Sequence, residues 1–179
     1  MSTLPSGPYP GDGIIPDAVM VYDQTKLVNA APADVWPWVL QVGKGRAGWY
    51  TPQSWERYLP RRFHASRSIN PEWQQLKPGD QVDDYGFSVD DYFIVSEVQP
   101  GRALVYKSDR YGASFSWSLV LHDASEGSTP ATLLHLRFRG KIAATGVKRR
   151  VIVWGGGVLD RFTTAPMLAG LAERAEKSR

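Results

Sequence analysis

The chain has 179 residues, 42% hydrophobic and 22% charged, which suits one globular domain with a real core and excludes wholesale disorder. It contains no cysteine, so a disulfide scaffold, thiolate catalysis, Cys-ligated zinc and iron–sulfur clusters are excluded. Its 21 Lys and Arg against 18 Asp and Glu leave a net charge of +3, too small an excess to call for a nucleic-acid partner.

Residues 1–17 (MSTLPSGPYPGDGIIPD) are rich in Pro and Gly without periodicity, and are expected to be an extended or mobile segment ahead of a single domain over 18–179. No basic start leads into an apolar run, so no signal peptide is expected. The longest apolar stretch, 151–159, is broken by Gly155, Gly156 and Gly157 and is far shorter than the roughly 20 residues that cross a bilayer. The expectation is a cytoplasmic protein with no stable membrane insertion.

A β-rich stretch over 19–29 places Val19, Val21, Thr25 and Leu27 on one face. Pro32 then suits a first helical turn, and Val35, Trp38, Val39 and Val42 follow at i, i+3, i+4 and i+7, an amphipathic helix ending near Gly43. A second short helix is predicted over 52–59, capped by Thr51 and stopped by Pro60; 61–79 reads as irregular. Strand signals follow at 81–85, 87–98, 102–107, 113–122 and 131–141, separated by turn chemistry, which predicts an antiparallel meander. Phe115, Trp117, Leu119 and Leu121 share a face, and Leu134, Leu136 and Phe138 oppose Leu133, His135, Arg137 and Arg139. From about 158, Val158, Leu159, Phe162, Met167, Leu168 and Leu171 form a largely apolar helix, with the three glycines before it as its start or a hinge.

This order implies an α+β fold, a curved antiparallel sheet gripping a long C-terminal helix, with two short helices after the first strand closing one end. If the sheet curves more than the helix fills, a cavity remains. The run Ala31-Pro32-Ala33-Asp34-Val35-Trp36-Pro37-Trp38-Val39-Leu40-Gln41-Val42-Gly43, then Gly45-Arg46-Ala47-Gly48-Trp49-Tyr50, resembles the opening of SRPBCC proteins of the polyketide cyclase/dehydrase-like kind. These belong to the START-like, helix-grip superfamily. Pro71-Glu72-Trp73-Gln74, Leu76-Lys77-Pro78-Gly79-Asp80 and Ser116-Trp117-Ser118-Leu119-Val120-Leu121 extend the resemblance over most of 18–175. It implies a helix-grip fold and a hydrophobic ligand pocket, and it carries no defined catalytic set and no cofactor. It also implies a sixth meander strand, which would have to lie within 61–69.

Gly43-Lys44-Gly45-Arg46-Ala47-Gly48 fits G-x-G-x-x-G, but it follows a helix rather than a strand, so a tight turn is expected instead of a dinucleotide site. The seven Trp and eight Tyr are the most informative feature. Trp38, Trp49, Tyr50, Trp55, Trp73, Tyr92 and Trp117, with Phe162 from the helix, are candidate pocket lining, each with core packing as its rival reading. His135 and Arg137 would add a polar spot if their strand face points inward; if Leu134, Leu136 and Phe138 point inward, both lie in solvent. His64, His122 and His135 have no metal-ligand spacing, and no metal is expected. Asp80, Asp83, Asp84, Asp90 and Asp91 read as a solvated strand edge. Lys148-Arg149-Arg150 and the terminal Arg174, Lys177 and Arg179 read as solvated helix ends. Nothing in the sequence places Glu72 and Tyr50 together as acid and base.

The leading expectation is binding, or transport, of a hydrophobic or aromatic small molecule in an aromatic-lined cavity. The alternative is a cyclase- or dehydratase-like enzyme acting on a ligand held there, and the third is a protein-interaction or stress-response module whose cavity is incidental. Oligomeric state is left open.

Overall fold

Strand pairing follows the alternation of the sequence. The computed structural model describes the chain except residues 1–3, 5, 86, 87, 89, 90, 144, 145, 178 and 179, and along 146–161 it describes the backbone alone. Six strands form one antiparallel sheet: β1 (Met20–Val28), β2 (Gln81–Asp83), β3 (Tyr92–Gln99), β4 (Ala103–Arg110), β5 (Ala113–Asp123) and β6 (Thr132–Ile142), in the order β1-β6-β5-β4-β3-β2. Helices α1 (Pro32–Leu40) and α2 (Gln53–Glu56) lie between β1 and β2, and α3 (Gly146–Lys177) follows β6. This is the α+β, helix-grip arrangement. No strand occurs within 61–69; Arg61–Phe63 is a single 3-10 turn, and β1 supplies the sixth strand of the sheet by pairing with β6.

The inner face is set by β5 and β6. Leu119, Leu121, Leu134 and Leu136 are buried against Val35, Trp38, Val39 and Val42 of the α1 region and Met167, Leu168 and Leu171 of α3. Directly opposed residues share a face, so the pairing of Tyr22 with Phe138 and of Gln24 with Leu136 fixes which side of β1 looks inward. Met20 and Val28 are buried while Val21 and Leu27 are exposed, the reverse of the face read from apolar residues alone. Register with a neighbour overrides local composition.

Helix α3 runs unbroken through Gly155, Gly156 and Gly157, so these glycines are neither its start nor a break. Their cost of about 1 kcal/mol each is a weak local preference that tertiary context overrides. The side chains of Lys148, Arg149, Arg150, Val158 and Leu159, and residues Asp90 and Arg179, lie outside the described residues. No helix among the described residues is long and apolar enough to cross a membrane.

The C-terminal turns of α3 are seated by charge rather than solvated. Arg174, expected at a solvated end, is buried. Its Nη2 donates to Glu56 Oε1 at 2.5 Å, its Nε to the Ser66 carbonyl at 2.7 Å and its Nη1 to the Thr51 carbonyl at 2.9 Å. Its guanidinium also lies 4.9 Å from the Tyr50 ring centre. Helix and loop meet backbone to backbone: a Cβ on Gly170 would fall 2.5 Å from the Thr51 carbonyl carbon, so only glycine fits.

The outer face is covered too. Residues 9–17, whose composition suggested an extended or mobile segment, lie across it around a 3-10 turn at Asp12–Ile14. Ser118 Oγ donates to the Pro10 carbonyl at 2.7 Å, Arg137 Nε to Asp12 Oδ1 at 2.7 Å and Arg139 Nη2 to the Ile15 carbonyl at 2.9 Å. The Tyr9 ring meets that of His135 edge to face at 4.8 Å.

The buried Glu56–Arg174 pair yields two predictions. Removing one partner strands the other in the interior, so Glu56→Ala should lower unfolding free energy by about 3–5 kcal/mol, measured by urea denaturation; an effect below about 1 kcal/mol would contradict the seating. Burial alone would raise the Glu56 pKa, but hydrogen bonds from Arg67 and Arg174 outweigh it and hold the carboxyl below its ordinary range. A depressed folded pKa adds stability that is complete above the unfolded value of about 4.3 and is lost as pH falls through the lower folded value. Glu56→Gln should therefore flatten the acid limb of the stability–pH profile and leave its shape above pH about 6 unchanged.

Candidate functional site

The strand register gathers aromatic side chains on the inner face. Tyr22, Phe138, Trp117 and Tyr106 are successive cross-strand partners over β1, β6, β5 and β4, and Phe115 and Phe93 share their face on β5 and β3. Phe138 stacks on Tyr22 at 5.8 Å and on Phe115 at 5.8 Å. Phe93 stacks on Trp117 at 5.7 Å with ring planes 9° apart, and meets Tyr106 at 5.6 Å. Trp49 caps this surface, edge to face with Trp117 at 5.0 Å. Trp49, Phe115, Trp117, Phe138 and Tyr22 are half-buried, whereas the next row, Leu104, Leu119 and Leu136, is wholly buried. The aromatic rings thus form the accessible margin of the core.

Trp49 is placed by the Gly43–Gly48 turn. Gly43, Gly45 and Gly48 have φ of 139°, 74° and 84°, left-handed conformations that glycine adopts without steric cost, and Gly43 bridges back to Gly48. This is a tight turn, as its position after a helix suggested. Arg46 at its tip donates through Nη2 to the Leu40 carbonyl at 2.8 Å and the Trp73 carbonyl at 2.5 Å.

Unsatisfied polar atoms border this surface. Arg110, at the end of β4, lies over Phe93 at 5.2 Å and Phe115 at 5.1 Å. Its Nη2 pairs with Asp84; its buried Nη1 makes no hydrogen bond, with Asp91 Oδ1 3.9 Å away. The Tyr106 hydroxyl and Arg46 Nε are likewise buried without a hydrogen-bond partner. Burial pushes the Tyr106 hydroxyl well above its ordinary pKa despite the nearby Arg46 charge, so it is a neutral donor. A buried polar group left unpaired costs about 1–3 kcal/mol, which an oxygen-bearing guest or a water would relieve. Asp84 and Asp91, expected on a solvated edge, are instead buried partners of Arg110.

Of the candidate residues, Trp49 and Trp117 meet on this surface. Trp38 and Tyr50 form an edge-to-face pair at 6.0 Å within the core, the Tyr50 hydroxyl donating to the Trp38 carbonyl at 3.0 Å. Trp73 is half-buried at the core's margin. Trp55 is 56% exposed and Phe162 75% exposed, so neither ring is enclosed in the core. Tyr92 is exposed on the opposite side of β3, beside a groove of about 250 Å³ that Ile94, Lys107, Asp91 and Arg110 also line, so the groove meets the aromatic surface at Arg110.

His135 and Arg137 lie on the outer face. Neither alternative raised from the sequence describes them, because the N-terminal segment covers that face and buries His135 completely. His135 Nε2 sits 2.7 Å from Asp23 Oδ1, and Arg137 Nη1 donates to both Asp23 oxygens at 2.8 Å. Burial would raise the Asp23 pKa, but these two partners hold it low. Glu72 is exposed while Tyr50 is buried, so they form no acid–base pair. Among the described residues no group of three His, Asp or Glu side chains converges as metal ligands.

Phe93, Phe115, Phe138, Tyr22, Tyr106, Arg46 and Arg110 complete the surface without having been singled out as site residues. Phe115 and Phe138 were visible in the alternation that also carries Trp117, which is the signal that could have found them.

Neither a protein-family model nor a curated protein matches the chain. Solved structures do. The protein SA2116 of unknown function from Staphylococcus aureus is similar at a TM-score of 0.54, with 10% identity over 89% of this chain and 94% of that one. The di-domain ARO/CYC StfQ from the steffimycin biosynthetic pathway gives 0.48, with 13% identity over 92% of this chain and 52% of that one. DynU16, from the dynemicin biosynthetic locus, gives 0.48, with 17% identity over 89% and 48%. The chain spans about half the length of each of these last two. At such identities the likeness to SA2116 shows a shared fold.

Proposed function

We propose that this protein binds a flat hydrophobic small molecule bearing an oxygen at one end. The carrying observation is the continuity of the half-buried rings of Trp49, Trp117, Phe115 and Phe138 with two buried donors that make no hydrogen bond, Arg110 Nη1, whose ion-pair partner Asp91 Oδ1 stands 3.9 Å away, and the Tyr106 hydroxyl. The rings offer apolar walls. Arg110 selects a carbonyl or carboxylate oxygen, and the Tyr106 hydroxyl is a second donor deeper in the fold.

Burying the equivalent of eight methylenes contributes on the order of 6 kcal/mol, an affinity between millimolar and micromolar before binding costs. A charge-assisted hydrogen bond from Arg110 adds about 1.5–3 kcal/mol, which brings the oxygen-bearing guest ahead of a plain hydrocarbon. The second reading, a cyclase- or dehydratase-like reaction on the held ligand, is favoured by the same two donors, which are suited to polarising a carbonyl. His135, Arg137 and Glu72, the ionisable groups the sequence offered for it, do not reach this surface.

Native mass spectrometry of freshly purified protein, with solvent extraction, should reveal a co-purified aromatic small molecule. With 2-naphthoate as probe in calorimetry, Trp117→Ala should weaken binding at least tenfold, about 1.4 kcal/mol. Arg110→Met should weaken 2-naphthoate but leave naphthalene unchanged. Equal affinity of the wild type and both variants for 2-naphthoate would overturn the reading.

A further inference from the structure

A second surface lies outside the aromatic row. Residues 52–64 (PQSWERYLPRRFH) run over α2 and the 3-10 turn Arg61–Phe63, and place Trp55, Tyr58, Leu59 and Phe63 in solvent together, Tyr58 being 77% exposed. Tyr85 joins them through a ring contact with Phe63 at 6.2 Å. Large apolar side chains exposed this close together along one short segment point to an interaction surface.

The charge among them has one sign. Arg57, Arg61 and Arg62 are exposed, and among the described residues no carboxylate stands within ion-pair distance of any of them. Arg57 instead lies over the Tyr58 ring at 4.7 Å, and Arg62 over the Phe63 ring at 5.0 Å. Glu56, the acid of this segment, is turned inward to Arg174 and Arg67. The segment therefore shows water three unneutralised guanidinium groups interleaved with aromatic and aliphatic side chains.

We infer that this patch docks the protein on the surface of an anionic lipid bilayer. Amphipathic aromatic rings favour the headgroup level, and cationic side chains beside them are drawn to acidic headgroups. A nucleic acid would use the arginines but leave Leu59 and Pro60 against a phosphate backbone, and the net charge of +3 gives no wider basic field. A second copy of this chain docked through the same patch would bring like charges face to face. Docking here is peripheral and reversible. It stands independently of the ligand reading, although Tyr85 directly follows Asp84, the partner of Arg110, so the patch neighbours the polar end of the aromatic row.

The test is flotation of the full chain with two vesicle types, phosphatidylcholine alone and phosphatidylcholine with about 30% phosphatidylserine. The expected result is at least tenfold stronger binding to the phosphatidylserine vesicles, abolished on raising NaCl from roughly 50 to 500 mM. Arg57→Ser/Arg61→Ser/Arg62→Ser should lose roughly 100-fold, and Trp55→Ser/Tyr58→Ser should also weaken binding although the charge is unchanged. These side chains are exposed, and a thermal melt matching the wild type confirms that each variant folds. Three results would overturn the inference: folded wild type that fails to float, equal binding to both vesicle types, or undiminished binding by the triple variant. A DNA oligonucleotide bound through the same arginines, with no vesicle binding, would also overturn it.

Discussion

The constraint on which the rest depends is strand register. Residues directly opposite each other across an antiparallel pair share a face, and a slip of one residue would send every side chain of a strand to the other side. The pairings of Tyr22 with Phe138, Phe138 with Trp117 and Trp117 with Tyr106 therefore act as one decision. They align rings from four strands and, four residues beyond Tyr106 on β4, bring Arg110 over Phe93 and Phe115. The aromatic surface is a consequence of how β1, β4, β5 and β6 are stitched.

The same parity creates a problem on the other side. Ser116, Ser118, His135 and Arg137 all project outward, where an antiparallel sheet ordinarily meets water. Here the N-terminal segment lies over them, and buried polar groups need partners. Asp12, Asp23 and the Pro10 carbonyl supply these. His122, beside His135 at 3.4 Å, has its pKa lowered by burial and by the neighbouring His135 charge. A segment with almost no apolar periodicity is thus held by hydrogen bonds and the Tyr9 ring, interactions made with partners more than a hundred residues away.

That distance explains what the sequence could and could not disclose. Helix α1 was legible because Val35, Trp38, Val39 and Val42 are local and periodic. The strands were legible because alternation and turn residues punctuate them, and the antiparallel sheet with its C-terminal helix followed from their order. The inner face of β1 was not, because Val21 and Leu27 are apolar yet outward and only the register with β6 decides. Arg110 was hidden by its turn. The strand expected over 102–107 stops short of it, whereas β4 continues to Arg110 and reverses through Tyr111 and Gly112, both at positive φ, 55° and 72°. This is a two-residue hairpin turn with Tyr where Asn or Asp is usual. Trp55 and Phe162 were read as pocket lining from residue type alone, which does not distinguish a ring facing the core from one facing solvent. Arg174 looked like a helix-end charge because its partner, Glu56, is remote in sequence.

The Trp residues report on the central claim separately, because they occupy different surroundings: Trp49 and Trp117 on the aromatic surface, Trp55 in solvent. The most direct measurement is an NMR titration of the indole N–H signals of ¹⁵N-labelled protein with 2-naphthoate. Selective shifts of the Trp49 and Trp117 indoles, with the Trp55 signal still, are the predicted result. Movement of Trp55 with Trp49 and Trp117 unmoved would contradict the account.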